Sequence, residues 1–91
     1  MLKIAVCDDD EAMLRVLTDK IGEIYKQNSI AFEIRSFLSG TNFLNSHREH
    51  SFDVVFLDID MPDINGFDIA EQVNNSGETL IVFVTSHDEL V

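Results

Sequence analysis

Three carboxylates stand where apolar runs give way to turns. Asp8 and Asp9 follow Leu2-Lys3-Ile4-Ala5-Val6-Cys7, and Asp58 follows Val54-Val55-Phe56-Leu57. Carboxylate oxygens are hard donors of the kind Mg²⁺ prefers, and that ion commonly keeps several waters while bridging to a phosphate. A carboxylate beside such an ion can attack a phosphoryl group and carry it as an acyl phosphate. The metal and nearby donors would then offset charge on the equatorial oxygens. Thr85 closes a further apolar run, Leu80-Ile81-Val82-Phe83-Val84, and its hydroxyl could reach a phosphoryl oxygen on Asp58. Each residue also has an ordinary reading. Acids before a helix cap it and suit the positive end of its dipole, and Asp10 is the best placed of its triplet for that role alone. Asp60, Asp63 and Asp68 read singly as turn or surface residues, and Thr85 as a plain strand end. Only joint placement separates chemistry from capping, and placement depends on the fold.

Short apolar runs bounded by turn residues read as strands, and strands apolar on both faces belong to parallel sheets covered by helices. The first, third and fourth runs, at 2–7, 54–57 and 79–85, are of this kind. Residues 31–37 alternate in part, with Phe32 and Ile34 on one face and Glu33 and Arg35 on the other, which suits a sheet edge. Between strands, Met13, Leu14, Leu17, Ile21, Ile24 and Tyr25 recur at helical spacing from Glu11 to about Gln27, and Asn28-Ser29 ends the helix. Ser39-Gly40 opens a short second helix through Phe43 and Leu44 that fades into the polar run 46–51. After the Pro62…Asn65-Gly66 turn, Phe67, Ile69, Ala70 and Val73 support a third helix ending near Asn74-Asn75-Ser76-Gly77.

The order β-α-β-α-β-α-β with right-handed crossovers predicts an α/β fold, a doubly wound parallel sheet. The flavodoxin-like strand order 2-1-3-4 puts the charged second strand at the edge and makes strands one and three neighbours. Asp8, Asp9 and Asp58 then converge at the topological switch point, where ligands bind outside the carboxyl ends of the strands. Like charges so placed raise one another's pKa and oppose folding unless a cation offsets them.

The 91 residues suit one domain with one core, and a hydrophobic content of 45% is ample to fill it. A net charge of −11, from 17 acidic and 6 basic residues, argues against direct nucleic-acid contact, which wants a basic face. Cys7, the only cysteine, excludes an internal disulfide and reads as a small buried hydrophobe. No apolar stretch reaches membrane-spanning length and the apolar start is too short for a signal segment, so the cytoplasm is the expected compartment. Asp58-x-Asp60 begins like a calcium loop, but Pro62 stands where the third ligand should be. His47 and His50 match no zinc spacing and read as solvated residues of a polar run.

With Ile4-Ala5-Val6-Cys7-Asp8-Asp9, the stretch from Val55 through Asp58-Ile59-Asp60-Met61-Pro62-Asp63-Ile64-Asn65-Gly66, and Val82-Phe83-Val84-Thr85-Ser86 together, the whole chain resembles the receiver domain of a two-component response regulator. The resemblance implies that Asp58 accepts a phosphoryl group from a histidine kinase's phosphohistidine. It implies Mg²⁺ ligated by Asp9, Asp58 and the main-chain carbonyl of Asp60, with Asp8 helping through water, and Thr85 as the switch hydroxyl. Such a domain is a signalling phosphoacceptor with slow autodephosphorylation, not an enzyme, and it switches an output domain. Cys7-Asp8-Asp9-Asp10 with Thr85-Ser86-His87-Asp88-Glu89 particularly resembles regulators whose output is a DNA-binding domain of the LytTR type.

The chain departs from the family in stopping at Val91. The family's fifth strand carries a phosphoryl-pairing lysine just after an aromatic switch residue, and Lys3, Lys20 and Lys26 lie too early to serve. Residues 1–91 are therefore expected to be the N-terminal portion of a receiver, incomplete at the C-terminus, with an apolar fourth strand left open to pairing or element exchange with a second copy. Two rival readings are a haloacid dehalogenase-type phosphohydrolase, through Asp58-Ile59-Asp60, and a non-phosphorylated interaction module. The first leaves Asp8 and Asp9 unexplained, and the second is at odds with a full set of acids.

Overall fold

A computed structural model describes residues 1–74 and 77–84. Seven elements alternate along them: β1 (Leu2–Cys7), α1 (Glu11–Gln27), β2 (Phe32–Phe37), α2 (Gly40–Glu49), β3 (Val54–Asp58), α3 (Gly66–Asn74) and β4 (Leu80–Val84). The strands form one parallel sheet in the order β2-β1-β3-β4, as the sequence predicts. The unbroken apolar runs of β1 and β3 have a plain cause in this architecture. On one face Ala5, Cys7, Val55 and Leu57 pack with Phe43 and Leu44 of α2 and Ile69 and Val73 of α3. On the other, Ile4 and Val6 pack against Leu14 and Ile21 of α1. With both faces covered, neither Ile4–Cys7 nor Val54–Leu57 has a side for polar residues, and Lys3 lies exposed at the entry of β1.

Local signals place the helix ends. Asp10 caps α1, accepting from the N–H groups of Ala12 (3.0 Å) and Met13 (3.2 Å). Asn28 stops it by donating main-chain and side-chain N–H to the Ile24 carbonyl, and Ser29 turns away at φ 57°. Ser39 caps α2 by accepting from Asn42 N–H at 3.2 Å.

Two expectations are corrected and one is met. First, α2 does not fade after Leu44 but runs to Glu49. His47, read as a solvated residue, extends the buried stripe one turn beyond Phe43 and is only 6% exposed. Its ring lies 5.5 Å from that of Phe43 and stacks on Phe52 at 6.2 Å and 15°. Its Nδ1 accepts from Phe52 N–H at 3.2 Å. An imidazole whose polar atom is satisfied by main chain can serve as a core aromatic, which a polar run disguises. His50 at the helix end is exposed, as expected. The second is the one met: β4 has the composition of an internal strand but is outermost on its side of the described sheet, as the sequence expects, and Leu80 is 62% and Phe83 41% exposed. Third, Phe67 does not join the core with Ile69, Ala70 and Val73: it lies on the surface against Phe83, ring to ring at 5.1 Å. Among the described residues no helix is long and apolar enough to cross a membrane.

Candidate functional site

Sheet register builds the site. β1 and β3 run side by side with Cys7 opposite Leu57, so the next residue on each strand, Asp8 and Asp58, emerges at the same end of the sheet. Each then turns its chain in the same way: Asp8 Oδ1 accepts from Asp10 N–H at 2.9 Å, and Asp58 Oδ1 accepts from Asp60 N–H at 3.3 Å. These local bonds fix the carboxylates where the strands end. Asp9 completes the group. One oxygen from each of Asp8, Asp9 and Asp58 lies within 4.8 Å of the others. Asp8 is 1% and Asp58 4% exposed, while Asp9 faces solvent, so the cluster is deep on one side and open on the other.

Burial is the main cause that raises the pKa of both inner acids. At Asp8 the charges of Asp58, Asp9 and Asp10 add to it, against the opposing bond from Asp10 N–H. At Asp58 the charges of Asp9 and Asp60 add, against the bonds from Asp60 N–H and to Asp8. Among the described residues no basic side chain pairs with any of the three. Buried carboxylates left without a counter-charge are costly. An all-oxygen set, part buried and part open, fits a hydrated hard cation such as Mg²⁺.

Gly66 shapes the site from behind. Its N–H donates to the Ile59 carbonyl at 2.9 Å, and a Cβ there would lie 2.8 Å from both the Asp58 carbonyl oxygen and the Ile59 Cα. Only glycine allows the chain to pass so close to the central acid. Asp10 is the cap that the sequence suggests. Asp68 is exposed on α3, and Asp60, though its N–H meets Asp58, is exposed too. Asp63, read as a turn residue, instead reaches the start of α2 and accepts four hydrogen bonds there. No local pattern signals a partner more than twenty residues away. Thr85 lies outside the described residues.

An open, doubly wound α/β domain with oxygen donors gathered at its switch point is the class that the fold and site define. Residues 4–91 match the family model for the response regulator receiver domain. The response regulator protein TodT of Pseudomonas putida is 30% identical over 88 residues, covering 96% of this chain and 36% of TodT. The BeF₃-activated receiver domain of DrrB is 35% identical, with a TM-score of 0.78 over 100% of this chain and 73% of that one. TrrA of Thermotoga maritima, solved with Mg²⁺ and BeF, is 26% identical, with a TM-score of 0.81 over 98% of this chain and 73% of that one. TrrA has also been solved in complex with the histidine kinase ThkA; there it matches at a TM-score of 0.79 and 26% identity, over 97% of this chain and 72% of that one. The chain belongs to the response regulator receiver family of two-component signalling. It spans about a third of the length of the curated relatives it matches. The phosphohydrolase alternative is not favoured: the acids that converge on Asp58 are Asp8 and Asp9, as a receiver requires.

Proposed function

We propose that Asp58 is the phosphoacceptor of this receiver, and that residues 1–91 carry the part of the domain from β1 to β4. One observation carries the reading: a carboxylate 4% exposed at the end of a central strand, with two further carboxylates within 4.8 Å. An oxygen of Asp58 attacks the phosphorus of a phosphohistidine. The P–N bond breaks, its electron pair returns to the imidazole, which takes up a proton, and the carboxylate becomes an acyl phosphate. Bound Mg²⁺ would supply charge neutralisation for the transferring phosphoryl oxygens. Asp8, Asp9, Asp58 and the Asp60 carbonyl would hold it. Asp8 and Asp58, fixed by their bonds to Asp10 and Asp60, keep these donors oriented before any ligand arrives.

Thr85 is assigned the switch hydroxyl by its place in the family pattern. The partner is a sensor histidine kinase, by likeness to TrrA, which has been solved with one. The product is held and slowly hydrolysed, its consequence being a change in an output domain, transcriptional and of the LytTR DNA-binding type by the sequence resemblance, in the cytoplasm. Incubation with acetyl phosphate and Mg²⁺ tests the central assignment. The expected result is one phosphoryl group on the intact protein and none on Asp58→Asn, which keeps shape and loses the nucleophile. Equal uptake by the variant, or continuous release of phosphate, would overturn it.

A further inference from the structure

Three ties, among others, hold the loop after Asp58, residues 59–65. Met61 is buried in the core at 7% exposure, and the Gly66 N–H closes the loop on the Ile59 carbonyl. The third is Asp63. Its Oδ2 accepts from Thr41 N–H (2.9 Å), Thr41 Oγ1 (2.8 Å) and Ser39 Oγ (3.0 Å), and its Oδ1 from Gly40 N–H (3.3 Å). Ser39 satisfies only the Asn42 N–H of the first turn of α2, and Asp63 takes the Gly40 and Thr41 N–H groups, so the start of α2 and the loop are closed by one carboxylate. The two segments also meet sterically. A Cβ on Gly40 would collide with Cγ2 of Ile64 and would lie 2.6 Å from Cδ1 of Ile69. By contrast, the loop's own hold on Asp58, the bond from Asp60 N–H, is long at 3.3 Å.

We propose that Asp63 is a positioning residue for the Asp58 centre: clasped by Ser39, Gly40 and Thr41, it holds loop 59–65 where the Asp60 main chain can join Asp8, Asp9 and Asp58 around a divalent cation. The proposal rests on the receiver reading. Its content is that α2, which contributes no ligand, sets the metal affinity through a contact between residues far apart in sequence. Outer contacts that orient ligands commonly alter metal affinity by about tenfold or more when removed.

The test is Mg²⁺ titration of the 91-residue chain, followed through the amide resonances of residues 8–10 and 58–66. Asp63→Ala should raise the half-saturating concentration about tenfold. Thr41→Val and Gly40→Ala retain the Asp63 charge and disturb the clasp from the other side, so both should shift it in the same direction. Asp63→Asn keeps an acceptor oxygen and should fall between wild type and Asp63→Ala. Ile21→Ala, a void in α1 on the opposite face of the sheet, should lower the melting temperature and leave half-saturation unmoved. In metal-free protein, Asp63→Ala should also speed amide exchange at Gly66. A half-saturation for Asp63→Ala within about twofold of wild type, or an equal shift in Ile21→Ala, overturns the clasp and leaves the receiver reading standing. A wild type whose resonances ignore Mg²⁺ overturns both. If Asp63→Ala does not fold, Thr41→Val and Gly40→Ala decide by the same criterion.

Discussion

Asp8 and Asp58 work against stability in order to work together. Both are withdrawn from water, both have raised pKa values, and neither has a basic partner among the described residues. Asp8→Asn isolates that cost. The amide oxygen can still accept from Asp10 N–H, so the turn survives while one charge is removed. Metal-free Asp8→Asn is expected to unfold at a higher temperature than wild type, by several degrees for a gain of about 1 kcal/mol. The same variant should gain less from Mg²⁺, as scanning calorimetry with the metal and with a chelator would show. A variant less stable than wild type without metal would mean that the acids do not oppose folding. The pairing of these residues was legible in the sequence because each comes directly after an apolar run, and adjacent parallel strands place such positions side by side. The role of Asp63 was not legible, because its partners at Ser39 to Thr41 become neighbours only once α2 and the β3–α3 loop have packed.

Among the elements, α2 departs furthest from its sequence pattern, and His47 is the reason. Read by residue type, 46–51 is polar; in the fold, His47 is an aromatic plank between Phe43 and Phe52. Strand boundaries fared better, since runs of apolar residues announce themselves and a helix with a mixed face does not. Burial holds the His47 pKa below its ordinary value. Neutral imidazole is therefore favoured by the folded state, and the unfolded chain binds more protons below its own pKa of about 6.5. The contribution to stability is complete above that pH and is lost as pH falls toward the lowered folded value. Arg48, Asp53 and Glu78 line the cavities beside the ring. His47→Asn keeps an acceptor for Phe52 N–H and cannot take a proton near neutrality. It should cost about 1–3 kcal/mol at pH 7.5 through lost ring packing, and the difference from wild type should shrink toward pH 5. Urea midpoints at the two pH values check this; a constant difference would show that the imidazole does not titrate with folding.

At the largest scale, β4 as the outermost strand of the described sheet and the net charge of the chain oppose each other. Leu80-Ile81-Val82-Phe83-Val84 carries no charge and no proline, the devices that usually keep edges from pairing. Against association stands a charge of −11 on each copy. Repulsion between surface charges is screened over about 8 Å at physiological ionic strength and over about 3 Å at 1 M salt. Association through β4 is therefore expected to grow with both protein concentration and salt. Light scattering after size exclusion measures it, and a monodisperse monomer at high concentration and high salt would exclude the edge as a pairing surface.

The strand order also decides which parts of the chain bring the acids together. β1, α1 and β2 are consecutive in the chain and β1 pairs with β2, and in that unit Asp8 and Asp9 meet no acid from another strand. β3 pairs on the far side of β1 and brings Asp58 with it, so the repulsion at the switch point exists only where β3 is docked. A divalent cation held by the three acids would offset that repulsion. If these acids hold Mg²⁺ as proposed, the same ion would favour the docking of β3 as well as the phosphoryl chemistry.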